Sequence, residues 1–141
     1  MKKIIISVFT TLLFSITSVY ATNVKIHKVV IQVSSNNPKT QKLALNNAVN
    51  LQKYYGMDNV KVEVVAYGPG LSIMTNKSKL SKRVSSLAMG DIRFSACHNT
   101  MMAVKRRTGK LPHLGEVVKI VPSGVVRIEQ LQEQGYAYIR P

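Results

Sequence analysis

From His27 onward, short runs rich in β-branched residues alternate with longer stretches whose apolar residues recur at helical spacing. A chain patterned this way builds βα units on a parallel sheet, because parallel strands need a long crossover and a helix supplies it. The first run is Lys28–Val33, followed by the turn-forming Ser34-Ser35-Asn36-Asn37-Pro38. Pro38 is suited to open a helix, since its missing N–H would have no partner there. Leu43, Leu45, Ala48, Val49, Leu51 and Tyr55 fall close to a 3.6-residue repeat, and Gly56 ends it. The second run, Val60–Tyr67, stops at Gly68-Pro69-Gly70, and a loop with Leu71, Ile73 and Met74 leads to a helix expected over Ser78–Met89. Ile92–Ala96 reads as a third strand with Cys97 as the next residue, and a helix then runs to the basic end Lys105-Arg106-Arg107 and Gly109. Val117–Val121 reads as a fourth strand. After Pro122-Ser123-Gly124, Val125, Ile128 and Leu131 mark a helix up to Gly135, and Tyr136–Ile139 is the last strand. The expectation is an α/β fold, a three-layer α/β/α sandwich with a mainly parallel five-stranded sheet, and no linker or repeat is left over.

The beginning of the chain reads as an address. Lys2 and Lys3 precede an uncharged apolar run from Ile4 to about Ile16, and Val19-Tyr20-Ala21 fits the small-x-small cleavage rule. The run is shorter than the roughly 20 residues a spanning helix needs. Residues 1–21 are therefore expected to be a Sec-type signal peptide and residues 22–141 a single domain, periplasmic or secreted and free of the membrane after cleavage.

The charge is lopsided, with 20 Lys and Arg against 6 Asp and Glu, and loss of Lys2 and Lys3 lowers the net charge only from +14 to +12. The cations are dispersed through every expected helix with few aromatics between them, so they read as a solvated basic surface, and nucleic-acid binding is not expected. The chain carries one cysteine, Cys97. In a disulfide-forming compartment it has no internal partner and is a buried filler, an intermolecular link or a reactive thiol.

Position argues for reactivity. Ligands in open α/β sheets gather outside the carboxyl ends of the strands, where four segments should meet: Ser34 to Asn37, Gly68 to Gly70, Cys97 to Thr100 and Pro122 to Gly124. At a strand-to-helix junction the free N–H groups and the positive end of the helix dipole favour thiolate over thiol. His98 adjoins Cys97 and could relay protons if its ring turned to the sulfur. Asn99 and Thr100 suit helix capping, while Gly68, Gly70, Ser123 and Gly124 could present N–H groups to an anion. The histidines at 27, 98 and 113 and the single cysteine show no zinc-type spacing, and neither a metal nor another cofactor is expected. No nucleophile-elbow motif is present.

Three segments together resemble a known family. Phe94-Ser95-Ala96-Cys97-His98-Asn99-Thr100-Met101, Val121-Pro122-Ser123-Gly124-Val125-Val126 and Leu131-Gln132-Glu133-Gln134-Gly135-Tyr136-Ala137-Tyr138-Ile139-Arg140-Pro141 look like the exported branch of the DsrE/DsrF-like proteins. The resemblance implies a parallel α/β/α fold, homotrimers or homohexamers, and a cysteine that carries sulfur as a persulfide, a role that can pass only to Cys97. On this reading Cys97 and His98 are the reactive pair and Gly68, Gly70, Asn99, Thr100, Ser123 and Gly124 hold the anionic sulfur. A protein thiol or a small sulfur compound would be donor or acceptor, and the exchange calls for an exposed thiolate. A second reading, from another class, is a non-catalytic module that binds a small anion or assembles as an oligomer.

Overall fold

A computed structural model describes residues 25–141, and the expected signal peptide lies outside the described residues. Five strands alternate with four α-helices: β1 (His27–Val33), α1 (Pro38–Tyr55), β2 (Val60–Ala66), α2 (Ser81–Met89), β3 (Ile92–Cys97), α3 (His98–Thr108), β4 (Lys119–Val121), α4 (Gly124–Glu133) and β5 (Ala137–Ile139). The boundaries follow local chemistry. Asn37 caps α1 by accepting the Lys39 N–H at 2.9 Å, Pro38 occupies the first turn, and Gly56 at φ 86° closes the helix with its N–H on the Gln52 carbonyl.

Besides α2, which begins at Ser81 rather than Ser78, two segments differ from the sequence expectation. Gly68–Met74 is a 3-10 helix rather than a loop, because Leu71, Ile73 and Met74 all turn into the core. β4 is only Lys119–Val121, since Val117 and Val118 belong to a turn closed by Val118 N–H on the Gly115 carbonyl.

The sheet order is β4-β3-β2-β1-β5 and every pairing is parallel. Right-handed crossovers then decide the layers. Stepping from β1 through β4 the chain moves one way across the sheet, so α1, α2 and α3 share one face. The return from β4 to β5 runs the other way and puts α4 on the opposite face. The burial follows this division: Ala44, Leu45, Ala48, Val84 and Met101 of the three helices pack with Ile31, Val64, Phe94 and Ala96 of the sheet, whereas Ile128 and Leu131 of α4 pack with Val30 and Val65.

This topology has a consequence at the rim. β3 and β4 are neighbours, yet the chain leaves β3 toward one face and leaves β4 toward the other. Their carboxyl ends form the switch point at which open α/β sheets leave a crevice. Cys97 is the last residue of β3 and pairs with Val121, the last of β4.

Candidate functional site

Two helices begin at this crevice. α3 starts at His98, directly after Cys97, and α4 starts at Gly124, so both present unpaired N–H groups and the positive ends of their dipoles to the same place. Neither Cys97 nor Ser123, the residues that precede them, makes a formal side-chain cap.

The Cys97 sulfur takes up part of that unused donor capacity. Burial pushes its thiol pKa up, but the Thr100 hydroxyl and the N–H groups of Thr100, Gly124 and Asn99 together more than offset this and hold it below the ordinary thiol value. The Asn99 N–H, the smallest of these influences, also donates to the Pro122 carbonyl at 3.3 Å. The Thr100 hydroxyl is itself oriented: its oxygen accepts the Gly68 N–H at 2.9 Å, which leaves its proton free for the sulfur. Cys97 is 4% exposed. The sulfur is thus nearly covered, contrary to the exposed thiolate expected, because the start of α4 seats against it.

Residues outside the expected set hold α4 there. Gly124 lies against Tyr67 so closely that a Cβ on it would stand 2.9 Å from the Tyr67 Cβ. Arg127, one turn further on, forks onto Glu63 of β2, with Nε on Oε1 at 2.8 Å and Nη2 on Oε2 at 2.7 Å. Ser95 of β3 donates to Glu63 Oε1 at 2.7 Å and Arg93 lies 3.4 Å from Oε2. Burial raises the Glu63 pKa, but the Arg127 and Ser95 hydrogen bonds and the charges of Arg127 and Arg93 outweigh it, so the carboxylate is held below its usual range. Glu63 binding in turn raises the Arg127 pKa. One signal for this pair was visible in the sequence: Glu63 is a lone acid inside a strand of a sheet expected to be covered on both faces, and a buried carboxylate needs a partner. The alternation Lys61, Glu63 imitates a solvated strand face, and nothing in the sequence pointed to Arg127.

The remaining expected site residues separate. Gly68, at φ 53°, and Thr100 stand between Cys97 and a cleft described below. Gly70 is buried, and a Cβ there would stand 2.1 Å from the Val33 carbonyl oxygen, so its role is the close approach of two backbones. Ser123 is half-buried, and His98 is exposed with no side-chain hydrogen bond among the described residues.

A parallel α/β sheet with a thiol at its switch point, between the starts of two helices, defines the class of protein. The chain belongs to the DsrE/DsrF-like family, whose model matches residues 27–141, a family connected with sulfur metabolism. It resembles the structure of a protein of unknown function from Methanobacterium thermoautotrophicum at 35% identity and a TM-score of 0.72, over 82% of this chain and 99% of that one. The ychN protein of E. coli shares the fold at 13% identity and a TM-score of 0.63, over 83% and 99% of the two chains. No curated protein matches the chain.

Proposed function

We propose that this protein is an exported sulfur carrier, periplasmic or secreted, in which Cys97 accepts sulfane sulfur and yields it to another thiol. The observation that carries the reading is the sulfur between two helix N-termini, with a thiol pKa lowered in spite of burial. In the loading step the Cys97 thiolate attacks the outer sulfur of a donor R–S–SH. The new bond joins Cys97 Sγ to that sulfur, the donor S–S bond breaks, and R–S⁻ leaves with its electron pair, so there is no net oxidation. Delivery is the same exchange in reverse, onto a protein thiol or small thiol. The Gly124, Thr100 and Asn99 N–H groups stabilise the anionic sulfur in both states. The near-closure of the site favours small donors and limits wasteful oxidation of the persulfide.

The test is intact-protein mass spectrometry after incubation with polysulfide or thiosulfate. Cys97 is expected to gain the mass of one sulfur atom, reversibly with added thiol, and the Cys97→Ser protein to gain none. A folded protein whose Cys97 stays unloaded by either donor removes the proposal and leaves the anion-binding or assembly module in its place.

A further inference from the structure

Beside Cys97, at the carboxyl edge of the sheet, lies a cleft of about 520 Å³, within the range of small-molecule sites. One wall is a stripe of α3: Thr100, Ala103, Val104 and Arg107, spaced at three, four and seven residues and so on one helix face. Pro69 and Leu71 supply much of the opposite wall. The inner end is Thr100, whose hydroxyl is the leading influence that lowers the Cys97 thiol pKa; Cys97 itself does not line the cleft. The outer end is Arg107, two helical turns or about 10 Å along the axis. Between the two ends the lining is mostly apolar. The ion pairs among the described residues are those of Arg93 and Arg127 with Glu63, so Arg107 has no acidic partner there.

We infer that this cleft selects the sulfur donor: a low-mass organic persulfide with its sulfane sulfur at one end and a carboxylate at the other. The inference rests on Cys97 being a sulfur carrier and names its substrate class. An apolar stretch between two polar ends accommodates a hydrocarbon body, whereas a bare inorganic anion placed there would lose hydration without repayment. The Arg107 guanidinium fits a carboxylate in a fork. With the carboxylate on Arg107 and the body along α3, the outer sulfur comes to Thr100, the lining residue beside Cys97. The Cys97 thiolate takes that sulfur, the donor S–S bond breaks, and the organic thiolate leaves with the electron pair and is protonated by water.

Persulfides of ω-mercaptoalkanoic acids of increasing length, the matching ω-mercaptoalcohol persulfides and inorganic polysulfide serve as probes, and the rate of Cys97 loading is followed by quenched mass spectrometry. The acids are expected to load on the order of tenfold faster than the alcohols, from one charge-assisted contact, with a maximum at the chain length that spans the cleft. Arg107→Gln, at an exposed position, should remove that advantage while the alcohol and polysulfide rates stay within about twofold. Equal rates for acids and alcohols, or a preference that survives in Arg107→Gln, overturns the donor class, and continued polysulfide loading then leaves Cys97 as a carrier. If no probe loads Cys97, polysulfide included, both readings fall.

Discussion

The two faces of the sheet are built on different physics. Under α1, α2 and α3 the interior is largely hydrocarbon, with Phe94, Ile31, Leu45 and Ile73 all nearly inaccessible to solvent, interrupted by the buried Gln41, which donates to the Ser35 carbonyl and the Ser72 hydroxyl. Under α4 the apolar contact is Ile128 and Leu131 on Val30 and Val65, and the rest of the attachment is polar: Glu63, Ser95 and Gln32 are buried on this side, and Tyr138 donates to Gln32 at 2.7 Å. Burying two large aliphatic side chains stabilises by about 3–6 kcal/mol, and that alone does not set where a helix stops along its axis. The forked Arg127–Glu63 pair and the Gly124–Tyr67 contact do set it, and they deliver the Gly124 N–H to Cys97. Non-directional burial supplies stability on one face, and directional contacts supply geometry on the other.

Phe94→Ala tests the hydrocarbon face and carries the largest expected effect. Loss of a fully buried aromatic should cost about 3–5 kcal/mol in denaturant unfolding, with the Cys97 titration unmoved in the folded protein. Glu63→Gln tests the other face. It leaves Arg127 partly buried without its counter-charge, and since Arg127 keeps some exposure the cost should be about 2–4 kcal/mol, below the range for a fully buried pair. Its signature is pH dependence. A carboxylate whose folded pKa is lowered contributes stability above its unfolded pKa and loses it as pH falls through the folded value, so the native protein should weaken below about pH 4. The Glu63→Gln protein should lack that component of acid sensitivity.

Gly124→Ala is the sharpest separation of the faces. Its Cβ would displace the start of α4 from Tyr67 at a cost of about 1–2 kcal/mol, yet it should raise the Cys97 thiol pKa, read from iodoacetamide alkylation rate against pH. In the native protein that midpoint should lie below that of an ordinary cysteine. Thr100→Val removes the hydroxyl donor from the sulfur and should shift the midpoint up. The smallest effect belongs to His98→Asn, which should change stability by less than about 0.5 kcal/mol and leave the alkylation midpoint where it was. A midpoint that moved would give this exposed ring a role on the sulfur that its position does not suggest.

Much of the fold was legible because it depends on local signals. β-branched runs, Pro38, Gly56 and Gly109 mark strands and helix ends through dihedral preference and capping, and the structure ends α1 and α3 where those residues fall. Errors arose where tertiary packing overrode local pattern: Leu71, Ile73 and Met74 form a 3-10 helix because the core accepts them, and Val117 and Val118 do not extend β4. Gly70 looked like an anion-binding turn, and only the proximity of Val33 identifies it as a backbone crossing.

The sequence by itself determined that Cys97 ends a strand and begins a helix, since the apolar run of β3 and the helical pattern of α3 meet at that residue. Strand order decided everything else about the sulfur. Placing β4 next to β3 brings the first turn of α4 onto Cys97 from 27 positions away in the chain, and it covers the sulfur while helping to lower its pKa. Long-range pairing of this kind is set by the summed burial of both faces and by a Glu63–Arg127 contact that joins residues 64 apart, so no local stretch of sequence encodes it.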